Sequence, residues 1–322
     1  MQNLIAFSAC LATAALFAWL SFRLWRVRIR SLRWLGTAVT GLIGLALFLI
    51  CTGAVAGLYI QHSRSAPVPD LKVEGSAEQI QRSQAIADSF CGGCHSRSET
   101  LTGGFDIGED LPLDMGSFVA SNLTPAGPIK HWSDGQIFRA IRNGVDAEGR
   151  WLVIMSLTNA GRLSDDDTRA LIAYIRKQPA AGTPTVDPPD EFNFLGLVML
   201  GFGQFPSGKP VNPGVVTAPL KAPTIQYGEY ILSYQDCREC HGEQLTGGDA
   251  GQLAPIGPGS SRVAGWSREQ FIATLRTGKD PNGHELGDVM PWSQIGKMDD
   301  VELGAMYEYL THQPELGKAA AN

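Results

Sequence analysis

The first 64 residues contain no aspartate and no glutamate. No charge of either sign interrupts Leu4–Phe22 or Leu35–Ile60. These gaps exclude an ordinary solvated surface for both runs. No basic residue precedes the first run, only Met-Gln-Asn, and this argues against reading it as a secretory signal peptide. Charged residues make up only 18% of the chain. No period-2 strand pattern of any length occurs, which removes the βαβ setting of a thioredoxin-like dithiol. Glycine and proline are abundant by contrast, with 37 and 19 copies in 322 residues. That suits loop-rich domains wrapped around a large apolar group.

Two short motifs carry the chemistry, CGGCH at 91–95 and CRECH at 237–241. Cys91 and Cys94 stand one helical turn apart, as do Cys237 and Cys240, so each pair of sulfurs faces one way. That spacing suits two thioether bonds to one edge of a porphyrin, with His95 or His241 as the axial ligand of the iron, and C-x-x-C-H is the attachment signature of c-type haem. Zinc is the first rival. A closed structural site takes four ligands, commonly from two such pairs at short separation. Here the pairs lie far apart, and each has its own histidine. The sequence therefore predicts two covalently bound haem c groups.

The two uncharged runs predict a membrane hairpin over residues 1–64. At 1.5 Å per residue the first spans ~28 Å, close to the ~30 Å hydrocarbon core. The second is long enough to cross with tilt. Between them Arg23, Arg26, Arg28, Arg30 and Arg33 form a basic loop, which the positive-inside rule places in the cytoplasm. Everything beyond His62 then lies outside, where bacteria attach c-type haem. The second run has arginines before it and an A-x-A at Ala54–Ala56, as a cleavable signal would, but its apolar stretch is long for one. The expected location is the bacterial inner membrane, with the haem domains on the periplasmic side. Cys10 and Cys51 fall within the runs and read as small apolar residues. Beyond residue 64, 20 basic residues face 32 acidic ones, a net charge of about −12. Such a surface suits basic partners and argues against nucleic acid.

The remainder repeats itself. LTGG occurs at 101–104 and at 245–248. HWSDGQIFRAIRNGVDAEGR (131–150) aligns with GWSREQFIATLRTGKDPNGH (265–284), pairing Trp132 with Trp266, Arg142 with Arg276 and Gly144 with Gly278. Ser164 and Asp299 read as N-caps of a closing helix, with Asp167 and Glu302 three residues on. The expected fold is all-α: two tandem small domains at 77–180 and 224–316, joined by a linker at 181–223.

A haem iron with histidine on one side needs a second ligand. Met155 and Met290 share the position between the tryptophan helix and the closing helix, and a thioether favours Fe(II) and raises the potential. Met115 and Met298 are the runners-up. Proline follows Met290 and stiffens its loop, whereas serine follows Met155, so that loop is expected to be less constrained. The expected metal ligands are therefore His95 with Met155 and His241 with Met290.

With these stretches in view, each copy resembles a class I cytochrome c domain. The tandem resembles the cytochrome c subunits of membrane-bound alcohol and gluconate dehydrogenases. The carrying stretches are NLTPAGPIKHWSDGQIFRAIRNG, the methionine before LSDDDTRALIAYIR, the FNF…GFGQF linker and YGEYILSYQDCRECH. Those subunits usually carry three haem motifs where this chain has two. The hairpin ahead of two haem domains is also similar to the di-haem subunit of certain haem–copper oxidases. The resemblance implies an electron-transfer protein without substrate chemistry of its own. It would take electrons from a quinol-oxidising or dehydrogenase partner and deliver them to a terminal oxidase or a soluble carrier. The opposed reading is a haem enzyme, such as a di-haem peroxidase or a thiosulfate-oxidising cytochrome.

Other residues carry less. Trp132 and Trp266 suit either a propionate contact or helix packing. Arg142 and Arg276 suit propionates or a solvated helix face. His62, His131, His284 and His312 match no ligand spacing and read as surface or structural. The apolar linker EFNFLGLVMLGFGQF (191–205) is too short to span a membrane. It is expected to pack across the two haem domains, or else to dock on a membrane partner.

Overall fold

The computed structural model describes residues 2–96, 100–247, 255–257, 263–287 and 289–312. Two helices open the chain, α1 (Gln2–Leu24) and α2 (Thr37–Ser63), the second entered through a π-helical turn at Leu32–Gly36. Both are long and apolar enough to cross a membrane. They pack against each other, and small side chains set the approach. An added Cβ at Gly44 would lie 3.4–3.5 Å from the Ala18 nitrogen and the Ala14 carbonyl. Cys10 and Cys51 meet at this seam, their sulfurs 3.0 Å apart.

The first repeat follows with α3 (Ala77–Ile86), a π turn at Ala87–Cys91, and α4 (Gly92–His95). Strand β1 (Gly116–Phe118) precedes α5 (Asp134–Asn143), α6 (Val153–Leu157) and α7 (Asp165–Lys177). Between the repeats stand β2 (Asp190–Phe192) and α8 (Phe194–Gly201). The second repeat brings α9 (Ile225–Tyr234), α10 (Cys237–His241), α11 (Arg268–Thr277), α12 (Trp292–Ile295) and α13 (Asp300–His312). Among the described residues the fold is all-α but for one antiparallel ribbon, in which Ser117 of β1 pairs with Glu191 of β2. Strands of three residues are too short to leave a period in the sequence.

The sequence repeat is matched bond for bond. Ser133 and Ser267 form capping boxes with Gln136 and Gln270, starting α5 and α11. Both helices end on a left-handed glycine, Gly144 and Gly278. Leu152 then donates to the Gly144 carbonyl at 2.8 Å, and Leu286 donates to Gly278 at 2.7 Å. Arg142 and Arg276 turn out to be clamps. Arg142 is buried and donates to the Leu163 carbonyl (2.8 Å) and to Asp165 (2.9 Å). Arg276 does the same to Met298 (3.0 Å) and Asp300 (2.8 Å). Each ties its helix to the start of the closing helix.

The closing helices are capped at the expected residues. Asp299 and Glu302 exchange reciprocal bonds at 2.9 and 3.0 Å. Ser164 caps Asp167 at 3.0 Å, but its own N–H goes to the Tyr230 hydroxyl, which in turn donates to Asp167. That tyrosine belongs to α9 of the other repeat. α3 packs on α7, and α9 packs on α13. The α9–α13 crossing is close: a Cβ on Gly228 would lie 2.0 Å from the Ala305 carbonyl. Buried residues of both repeats, from Ile86 through Ile175 to Tyr227 and Leu310, form one contiguous apolar core.

The linker corrects an expectation. α8 does not pack across the two repeats; it packs along α2. A second core joins Ala54 of the hairpin to Leu197 and Leu200 of α8, and on to Phe118, Trp151 and Val153 of the first repeat.

Candidate functional site

Cys91, Cys94, His95 and Met155 all line one cavity of about 260 Å³. Its walls are mostly apolar, with Ile129, Trp132, Ile137, Leu163 and Leu171 among them. The π turn at Ala87–Cys91 runs directly into the short helix that presents Cys94 and His95. The His95 Nδ1 lies 2.7 Å from the Ser121 carbonyl. A carbonyl only accepts, so Nδ1 carries the proton and the lone pair is left on Nε2, the form that ligates a metal. Burial also holds the His95 pKa below its ordinary value and keeps the ring neutral. The LTGG loop braces this histidine, because Gly103 N–H donates to the His95 carbonyl at 2.8 Å. Gly247 does the same for His241 at 2.9 Å.

Burial also acts on the first thiol of each pair. Burial pushes both Cys91 and Cys237 up to about 12, so neither is a thiolate near neutral pH. Among the described residues no three His, Cys, Asp or Glu side chains group as a metal site. The donor set instead is two thiols on one turn, a neutral imidazole and a thioether around an apolar cavity. That set fits a covalently attached haem.

Met155 sits on α6, whose first turn is well held. Asp190 of β2 accepts the Val153 N–H at 2.5 Å. Ser156 accepts from the Trp151 indole at 2.6 Å and donates to the Val153 carbonyl at 2.8 Å. Its side chain packs on Gly144, where an added Cβ would lie 2.6 Å away. Serine after Met155 thus fastens the loop as proline does after Met290, and the expectation of a looser loop is corrected. Trp292 takes the matching place in the second repeat, its ring 2.6 Å from a Cβ built on Gly278. Met115 is buried in the second core and is not among the cavity residues, and Met298 is buried in the first core.

In the second repeat His241 is buried, Met290 is half-buried against the core, and Cys240 is exposed. Residues 248–254, 258–262 and 288, including Gly248 of the second LTGG, lie outside the described residues. Trp132 lines the cavity, and Trp266 packs half-buried on the core. His62, His131, His284 and His312 are all exposed.

The sequence did not reveal how the repeats face each other. Gln235, Asp236, Pro291 and Ile295 of the second repeat line the first repeat's cavity. Asp236 accepts from the Asn159 backbone at 2.9 Å and from its amide at 2.5 Å. Gln235 donates to Ser89 at 3.0 Å, and Tyr234 meets Phe90 edge-on with ring centroids 6.0 Å apart. α12, just after Met290, packs on the π turn that leads into Cys91. Each methionine loop therefore lies against the other repeat's Cys-x-x-Cys-His stretch.

Residues 78–175 and 224–310 match the family described as cytochrome C oxidase, cbb3-type, subunit III. The chain belongs to this cytochrome c family. Curated relatives agree at low identity. The chain is 25% identical over 311 residues to a nicotinate dehydrogenase subunit of Pseudomonas putida, covering 88% of the chain and 25% of that protein. It is 26% identical over 274 residues to the cytochrome c subunit of a quinone alcohol dehydrogenase of Gluconobacter oxydans, covering 74% and 55% respectively. It is 24% identical over 305 residues to a diheme cytochrome c-type protein of Cereibacter sphaeroides, covering 85% and 97%. It thus spans about a quarter of the first relative and about half of the second. This cytochrome is an electron-transfer protein that carries covalent haem c.

Proposed function

We propose that the chain is a membrane-anchored di-haem cytochrome that relays electrons on the periplasmic side of a bacterial inner membrane. The observation that carries this is the convergence of Cys91, Cys94, His95 and Met155 on one apolar-walled cavity. Cys91 and Cys94 would hold one haem, with His95 and Met155 as its ligands. Cys237 and Cys240 would hold the other, with His241 and Met290. Haem supplies a one-electron Fe(III)/Fe(II) couple. The chain's own residues do the rest. His95 is held as the Nδ1–H tautomer, the apolar wall excludes water, and the fastened methionine loops keep the thioethers in reach. Methionine as second ligand leaves no open position for substrate, in keeping with a carrier rather than a peroxidase or thiosulfate oxidant.

Relatives named as dehydrogenase subunits support redox-complex partners as a class. The donor we infer is a quinol-oxidising or dehydrogenase partner, and the acceptor a terminal oxidase or soluble carrier. The test is haem stoichiometry by alkaline pyridine spectra, combined with carbon monoxide binding to the reduced protein. Two haems per chain and no carbon monoxide adduct are expected. One haem, or a readily formed adduct, would overturn the reading.

A further inference from the structure

Within the linker, α8 packs along the hairpin, and its contacts run down α2. Gly57 faces Leu197, with 1.9 Å between a built Cβ and the Leu197 carbonyl. Gly53 lies against the Phe202 ring, and a Cβ on Gly201 would lie 1.9 Å from the Gly53 carbonyl. α8 therefore descends α2 as the chain proceeds, with glycine on both helices letting the backbones touch. Gly53 stands seven residues before Ile60, where the uncharged run of α2 ends. At 1.5 Å per residue that is about 10 Å down the axis, about a third of the thickness of a hydrocarbon core.

Composition agrees with such a depth. Residues 192–208 contain no charged side chain, and Asp190, Glu191 and Lys209 bracket them. Leu195 and Phe202 are 45% and 51% exposed. α1 and α2, which α8 contacts, carry exposed apolar side chains of their own, Leu11 and Leu58 among them. Backbone at bilayer depth must satisfy its own polar groups. At the tip it does: Phe202 donates to Val198 (3.1 Å), Gly203 to Leu200 (3.0 Å) and Gln204 to Met199 (2.8 Å). Gly203 turns the chain with φ of 69°, and Phe205 returns into the second core. At the upper end the Asn3 amide donates to the Phe192 carbonyl at 2.7 Å, joining the start of α1 to the start of the loop.

We propose that residues 192–208 form a re-entrant loop whose exposed face, Leu195 and Phe202, lies in the acyl chains of the outer leaflet. This rests on the hairpin spanning the membrane. The haem-bearing repeats are then seated on the bilayer at two places, by the hairpin and by the loop between them.

The test uses the holoprotein in phosphatidylcholine–phosphatidylglycerol liposomes, with Cys10 and Cys51 replaced by alanine. The haem cysteines are consumed as thioethers and take no label. Nitroxide is attached at Phe202→Cys, at Leu195→Cys, at Leu11→Cys on α1, and at Leu220→Cys, which is 91% exposed beyond the loop. Accessibility to oxygen and to a water-soluble nickel chelate is then measured. Labels at 202 and 195 should show an oxygen-to-nickel ratio several-fold above that at 220, with 202 deeper than 195. If 202 and 195 behave like 220 while 11 is lipid-buried, the loop is not in the membrane although the hairpin is. If 11 also behaves like 220, the spanning reading falls and the proposal falls with it.

Discussion

Met155 and Met290 stand in differently built loops, which makes them separable by substitution. Imidazole stabilises Fe(III) more than a thioether does. Met290→His should therefore leave both haems attached and lower one midpoint potential, by on the order of 0.2 V within the ~0.8 V that axial ligands span. Met155→His should lower the other midpoint, and Met115→Leu should move neither. A spectroelectrochemical titration of the three variants checks all of this. Unmoved midpoints in Met290→His would remove Met290 from the ligand set.

Asp190 adds a pH term. It lines the cavity, and burial lifts its carboxyl to about 7, helped by the charges of Asp106 and Asp146 and opposed by the Val153 and Ile154 N–H groups. Asp146 is itself paired with Arg150, which also reaches Asp187. A raised carboxyl is protonated and neutral below this range and charged above it. Negative charge beside the cavity favours Fe(III), so one midpoint should fall as pH rises through about 7, by at most ~59 mV per unit. Asp190→Asn should flatten that slope. Stability follows the same sign: the proton-linked contribution is present below the unfolded carboxyl's pKa and is lost as pH rises through about 7. No sequence pattern marks Asp190, because its partners lie 36 or more positions away. The cysteines, histidines and methionines were readable because fixed spacing and repetition mark them.

Element by element, the helices were legible where a cap and a stripe coincide. Ser164 and Asp299 cap where the pattern places them, and Ser133 and Ser267 cap the tryptophan helices of the two repeats alike. The three-residue strands and the course of α8 were not legible. α8 is apolar nearly all round, so its pattern names no preferred face. What decides its neighbour is glycine, through close approach to α2. Gly57→Ala should consequently destabilise the protein. A Cβ 1.9 Å from a carbonyl forces the helices apart, at ~1–3 kcal/mol for overpacking. Thermal unfolding in detergent should show a midpoint lower by several degrees. Gly265→Ala, with nothing within 4 Å of its built Cβ, should show no change. Equal midpoints in the two variants would count against a tight α2–α8 contact.

For the molecule as a whole, the charge distribution carries predictions of orientation and partner choice. Six arginines without an acid in residues 1–64, against a net charge of about −12 beyond, predict arginines inside and acids outside. Protease added to spheroplasts should digest the haem-bearing repeats and leave the 23–34 loop intact. Protection of the repeats would reverse the topology. An acidic exterior also predicts that the association rate with a basic soluble carrier falls steeply as salt rises, since exposed charges are screened within ~10 Å at 0.1 M. Stopped-flow reduction across an ionic-strength series would show it, and a flat series would dismiss electrostatic steering.

The cross-packing of the repeats bears on the order of events during biogenesis. Asp236, Pro291 and Ile295 complete a cavity whose own cysteines occur 142 to 204 residues earlier in the chain. While the second half is still emerging, the first pocket stands open on that side. Once α9 and α12 have docked, the same side is shut. With Cys91 and Cys94 as the proposed attachment site, porphyrin would enter while that side stands open. On that reading the second repeat acts as the door of the first pocket, and its docking sets when the door shuts.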